Sequence, residues 1–109
     1  MSADDDSVFL VLCTAPENEA ATLADQLLEE RLAACVNLIG PMTSRYRWEG
    51  RIEEGREMLL LIKTTAGKKS ALRRRIVDLH SYSVPEVLEF AVDSGLPAYL
   101  GWVADSCEN

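Results

Sequence analysis

Few side chains in this sequence can hold a metal or act as a nucleophile: a single histidine, His80, and three cysteines, Cys13, Cys35 and Cys107. A thiolate beside an imidazole is a soft donor pair suited to copper or zinc. It falls short of the four protein ligands of a structural zinc site, so a carboxylate or another subunit would have to complete the set. Cys13 and His80 could also act as nucleophile and base. No G-x-S-x-G elbow supports a serine alternative, and no G-x-G-x-x-G or G-x-x-x-x-G-K-[ST] run is present to cradle phosphate. The expectation is a protein that is not an enzyme. Each residue also has a plain structural reading. Cys13 and Cys35 can pack as small buried hydrophobes, Cys107 stands near the C-terminus, and His80 can favour the dipole at a helix end.

The elements that must bring these residues together follow from hydrophobic periodicity. Val8–Thr14 is a short apolar run typical of a strand buried on both faces. From Glu19 to Ala33 the apolar positions Ala20, Leu23, Ala24, Leu27, Leu28 and Leu32 recur at intervals of mostly three and four, which predicts an amphipathic helix. Cys35–Ile39 is a second strand that bends or bulges at Gly40-Pro41 and stays extended to Trp48. Glu49-Gly50 turns the chain, and Glu53-Glu54-Gly55 reads as a further loop or bulge before the third strand, Glu57–Thr64. Lys68–His80 is a second helix with Leu72, Ile76 and Leu79 inward, ended by the approach to Pro85. Val87–Val92 is the fourth strand, and Pro97 opens a last short helix.

The order βαβ-βαβ predicts an α+β, ferredoxin-like βαββαβ sandwich: a four-stranded antiparallel sheet, both helices on one face, and an extra C-terminal helix. One domain over residues 8–106 is expected, behind a flexible acidic tail, residues 1–7. In this fold the first and fourth strands are antiparallel neighbours. Cys13, His80 and Glu86 therefore gather at one end of the sheet, while Cys35 belongs toward the other, which argues against a Cys13–Cys35 disulfide. The second strand is a long edge carrying Tyr46 and Trp48. An unblunted edge of this kind invites pairing with another subunit.

The net charge of −7 argues against duplex nucleic acid as a partner, because such binders gain affinity from an excess of Lys and Arg. The basic cluster Lys68, Lys69, Arg73, Arg74 and Arg75 reads as a solvated helix face. The N-terminus lacks the basic and apolar regions of a signal peptide, and no apolar run approaches the ~20 residues of a membrane span. An odd number of cysteines fits a reducing, cytoplasmic location and no membrane association.

Five segments then stand out together: Val11-Leu-Cys-Thr-Ala-Pro16, Leu28-Glu-Glu-Arg-Leu-Ala-Ala-Cys-Val-Asn37, Tyr46-Arg-Trp-Glu-Gly50, Ile62-Lys-Thr-Thr65 and His80-Ser-Tyr-Ser-Val-Pro-Glu86. In this order and spacing, and with Pro97–Trp102 behind them, they resemble the CutA family of divalent-cation tolerance proteins. The resemblance implies a homotrimer related in architecture to the PII signalling proteins, and a role in the response to divalent metal ions. It implies copper (Cu2+) binding at the positions of Cys13 and His80. A second histidine that some members carry before this one is Leu79 here, and the usual proline after it is Ser81. It also implies a cleft between subunits where Trp48, Lys63, Tyr82 and Glu86 would meet a small molecule or protein, as in a PII-like signalling or scaffold trimer. Lys63 would be its point charge, and the aromatic side chains its walls.

Overall fold

The computed structural model describes residues 3–108, so Met1 and Ser2 of the expected tail lie outside the described residues. Ala3–Asp6 form a 3-10 turn, held where the Gly67 N–H donates to the Asp5 carbonyl at 3.0 Å. The remaining elements are β1 (Val8–Pro16), α1 (Ala20–Glu29), β2 (Cys35–Trp48), β3 (Arg51–Thr65), α2 (Lys69–Leu79), β4 (Val87–Ala91) and α3 (Pro97–Ser106). The sheet runs β2-β3-β1-β4, with β1 antiparallel to both β3 and β4. The ferredoxin-like α+β sandwich is therefore present, extra C-terminal helix included.

Strand alternation divides the sheet into two unlike faces. Val11, Cys13, Leu60 and Ile62 pack with Leu23, Leu27, Leu72 and Ile76 of α1 and α2 in one buried cluster. Their neighbours along each strand point the other way. Leu12 pairs with Leu61 and Leu88, and Leu10 with Phe90, on the face opposite α1 and α2, of which α3 covers only a part along β1 and β3. There Ile39, Leu88 and Phe90 are 46%, 50% and 48% exposed.

Helix α1 ends earlier than the apolar spacing predicts. Arg31 takes a left-handed φ of 58°, the Leu32 N–H reaches back to the Leu27 carbonyl, and the Arg31 N–H to that of Leu28. This pair of bonds is a Schellman ending, which lets Leu32 join the core from beyond the helix.

The second departure lies in β3. Glu53-Glu54-Gly55 is neither loop nor bulge: it pairs in register with Tyr46, Arg45 and Ser44. The polar side chains suggested a break, but on a strand with no third neighbour they simply face water. The irregularity that does form lies at the expected bend at Gly40-Pro41, between Ile39 and Met42, where Gly40 has φ 136° and a Cβ would lie 3.0 Å from the Met42 nitrogen.

Because β1 ends its pairing at Pro16 with Glu57, the chain from Arg51 to Arg56 has β2 as its sole strand partner. The turn has φ of 48° at Glu49 and 77° at Gly50, the two positive values of a type I′ hairpin. This two-stranded arm stretches the domain to 46 Å. The radius of gyration of 14.6 Å exceeds the roughly 13 Å of a compact domain this long.

Candidate functional site

The residues singled out in the sequence fall in three places. At the first, Cys13 and His80 meet on one backbone carbonyl. The Cys13 sulfur lies 3.6 Å from the Thr14 oxygen, and His80 Nε2 lies 2.7 Å from the same atom. The convergence expected from strand order is real. Its chemistry is not that of an open ligand pair.

A carbonyl can only accept, so Nε2 carries the proton and donates it. His80 Nδ1 accepts from the Tyr82 N–H at 3.0 Å. Both ring nitrogens are thus committed, and the tautomer is set by its partners. Cys13 is fully buried in the helix-side core. Burial first, then the charges of Glu86 and Glu57, push its thiol up to about 12. A copper ligand must be a thiolate or a free imidazole nitrogen, so as folded these two side chains do not fit a copper ion. Among the described residues, no three His, Cys, Asp or Glu side chains gather as a metal group. Leu79 and Ser81, flanking His80, leave the imidazole alone at this point of the chain.

The second place is a groove of about 820 Å³ on the sheet face opposite α1 and α2, between the arm and the 82–86 loop. Thr14 and Leu59 are cross-strand partners on its floor, as are Met42 and Glu57. Tyr46 and Trp48 rise from the arm, and Tyr82, Pro85 and Glu86 form the opposite wall. The groove exists because the His80 bonds pin the start of that loop beside Thr14, with the His80 and Tyr82 rings 4.7 Å apart. The Tyr82 hydroxyl donates to Glu57 Oε2 at 3.0 Å. Partial burial, with the hydrogen bond to the Glu57 carboxylate and its charge, pushes the Tyr82 phenol up to about 12. Trp48, Tyr82 and Glu86 of the expected cleft are therefore brought together within one chain.

Lys63 is not among them. It stands six positions from Glu57 on β3, roughly 20 Å away at strand rise. Its ammonium donates to Asn37 Oδ1 and lies 3.9 Å from Cys35 Sγ. Among the described residues, Lys63 and Glu86 form no ion pair within the chain. Cys35 sits opposite Lys63, toward the end of the sheet away from Cys13, and all three cysteines are free thiols.

Sequence reasoning missed Glu57 as a site residue. It is 7% exposed although charged, and the available signal was an acid opening an otherwise apolar strand, Glu57–Thr64. Tyr46 was noted as an arm residue and proves to be part of the groove wall as well.

Comparison with known proteins agrees with this architecture. The family model described as "CutA1 divalent ion tolerance protein" matches residues 9–106. The "Divalent-cation tolerance protein CutA" of Thermus thermophilus is 45% identical over 98 residues, covering 89% of this chain and 95% of that protein. The crystal structure of CutA from Xylella fastidiosa superposes with a TM-score of 0.91 at 40% identity, covering 94% of this chain and 99% of its own. A PII-like protein CutA from Nostoc sp. PCC 7120 gives a TM-score of 0.87 at 31% identity, covering 92% and 97%. With a family match over nearly its whole length and a relative 45% identical across 89% of it, this chain belongs to the CutA1 divalent ion tolerance protein family.

Proposed function

We propose that the chain acts as a non-enzymatic homotrimer in divalent-cation tolerance, a PII-like sensor or scaffold whose ligand site is the groove beside Tyr82. The observation that carries this reading is the part of the sheet face opposite α1 and α2 that α3 leaves uncovered. A two-layer domain leaves Ile39, Leu88 and Phe90 about half exposed next to Leu10, Leu12 and Leu61, and a continuous apolar face of this kind marks an association surface. The projecting arm supports the same reading, since an isolated two-stranded hairpin is marginal in water and gains from a third strand. Three is the number of subunits that the family resemblance implies. Sedimentation equilibrium tests it: a particle of three chain masses supports the proposal, and a monomer at micromolar concentration ends it.

Copper binding at Cys13 and His80 is a second reading, favoured by their meeting at the Thr14 carbonyl. Metal held there would require the thiol to ionise and the imidazole to release a hydrogen bond. Calorimetric titration with Cu2+ decides it, because Cys13→Ala and His80→Ala must each weaken binding, and unchanged affinity in both removes the site. We place the protein in the cytoplasm, a reading supported by its three free thiols. Recovery of the native protein in a periplasmic or secreted fraction would count against that placement.

A further inference from the structure

We propose that the groove takes a small organic cation, an ammonium or guanidinium compound, held by the Glu57 carboxylate and the rings of Tyr46, Trp48 and Tyr82. The inference rests on reading the groove as the ligand site, and it names the chemistry of what binds there. Glu57 is the starting point. It is 7% exposed, receives a hydrogen bond from the Tyr82 hydroxyl, and has no ion pair among the described residues. A carboxylate withdrawn from water needs a counter-charge. A phenol supplies a proton donor but no charge, and the side chain lines an open cavity where the missing cation can sit.

The charge of the rest of the groove points the same way. Glu86 adds a second acid. Among the described residues, Arg45 is the one basic side chain in the lining, and Glu54 engages its guanidinium at 2.7 Å. Aromatic rings contribute a further attraction for cations through their negative faces; Tyr46, Trp48 and Tyr82 remain 46%, 55% and 40% exposed.

These features favour an organic cation over a bare metal ion. Hard divalent cations take about six or more oxygen ligands, several of them carboxylates, whereas the described lining has two carboxylates, Glu57 and Glu86, beside the aromatic and apolar side chains of Met42, Trp48, Leu59 and Pro85. No metal-ligand group of three occurs among the described residues. The volume of about 820 Å³ falls within the range usual for small organic ligands.

The test compares butylammonium chloride with butan-1-ol, which has the same length and no charge, on the full chain at matched ionic strength. Tryptophan fluorescence in a Trp102→Phe background reports on Trp48. Saturable binding of butylammonium at least about tenfold tighter than the alcohol is expected. Glu57→Gln and the exposed Glu86→Gln should each weaken it, the second keeping the test valid if the first does not fold. Equal affinity for alcohol and amine, no saturation, undiminished affinity in both folded variants, or saturation by magnesium or copper salts alone would overturn the proposal. Sedimentation of the same samples separates the two readings. A monomer that binds butylammonium refutes the trimer and keeps the cation site, whereas a trimer that does not bind it refutes the cation site alone.

Discussion

Phe90→Ala probes the uncovered sheet face with little disturbance of the core. Phe90 pairs with Leu10 on the side away from α1 and α2 and is 48% exposed in the single chain. A phenylalanine buries roughly 200 Å² when fully enclosed, so about half of that is left for a neighbouring copy to cover. At about 25 cal/mol per Å² this amounts to roughly 2 kcal/mol per subunit. A trimer contains three such residues, and the variant should lose about 6 kcal/mol of association free energy, or about 10⁴ in the trimerisation constant. Because that constant scales with the square of concentration, the midpoint of dissociation should rise about 100-fold. Sedimentation velocity over a dilution series reads this directly, and far-ultraviolet circular dichroism verifies that the dissociated chain keeps its fold. A midpoint unchanged from that of the parent chain would refute the argument, because the exposed ring would then lie outside any interface.

Three further outcomes follow from other parts of the molecule. Gly40→Ala places a Cβ 3.0 Å from the Met42 nitrogen at a φ of 136°, which should cost about 2–3 kcal/mol and lower the Tm by about 10 °C; an unchanged melt would show that the bulge tolerates a side chain. Arg31→Gly relieves a left-handed φ of 58° at the end of α1 and should stabilise the fold by about 0.5–1 kcal/mol in urea titration, whereas a loss would mean that the arginine side chain contributes more than its backbone costs. The Cys13 thiol is held at about 12 in the fold, against its ordinary value of 9.0. The unfolded chain therefore gives up this proton first, and the stability present below pH 9 declines as pH rises toward 12, by on the order of 4 kcal/mol in full. Urea midpoints at pH 8.5 and 11 should fall further in the parent chain than in Cys13→Ala, and parallel declines would refute the assignment.

Much of the fold was legible because its signals are local. The three- and four-residue spacing of Ala20, Leu23 and Leu27 reports which side of a helix faces a core, and the unbroken apolar run at Val8–Thr14 reports a central strand. Glu49-Gly50 marked the hairpin. Where the reading failed, a non-local condition had overruled composition. Glu53-Glu54-Gly55 looks like a break, yet it stays extended because Arg45 and Tyr46 lie opposite and the arm's faces are wet. Leu32 kept helical spacing, yet the helix had already ended and a left-handed residue swung Leu32 back into the core. Lys63 and Glu86 both belong to family segments, but β3 carries the lysine four residues past Leu59 on the groove floor, roughly 13 Å along the strand.

The Cys13–His80 pair shows the division most clearly. Strand order alone was enough to bring both residues to one end of the sheet, since antiparallel neighbours must place the end of β1 beside the start of β4. Residue types also limited the chemistry to a thiol, an imidazole and nearby acids. Whether that thiol ionises and whether that imidazole has a free nitrogen were decided by the tertiary structure. Those properties depend on the Thr14 carbonyl, the Tyr82 N–H and the helix layer packed over Cys13. The same holds for Glu57, an ordinary strand acid in the sequence that becomes a buried carboxylate once the loop after α2 folds over it. Periodicity is written along the chain, whereas solvation and hydrogen-bond occupancy arise among groups that meet only when distant segments pack.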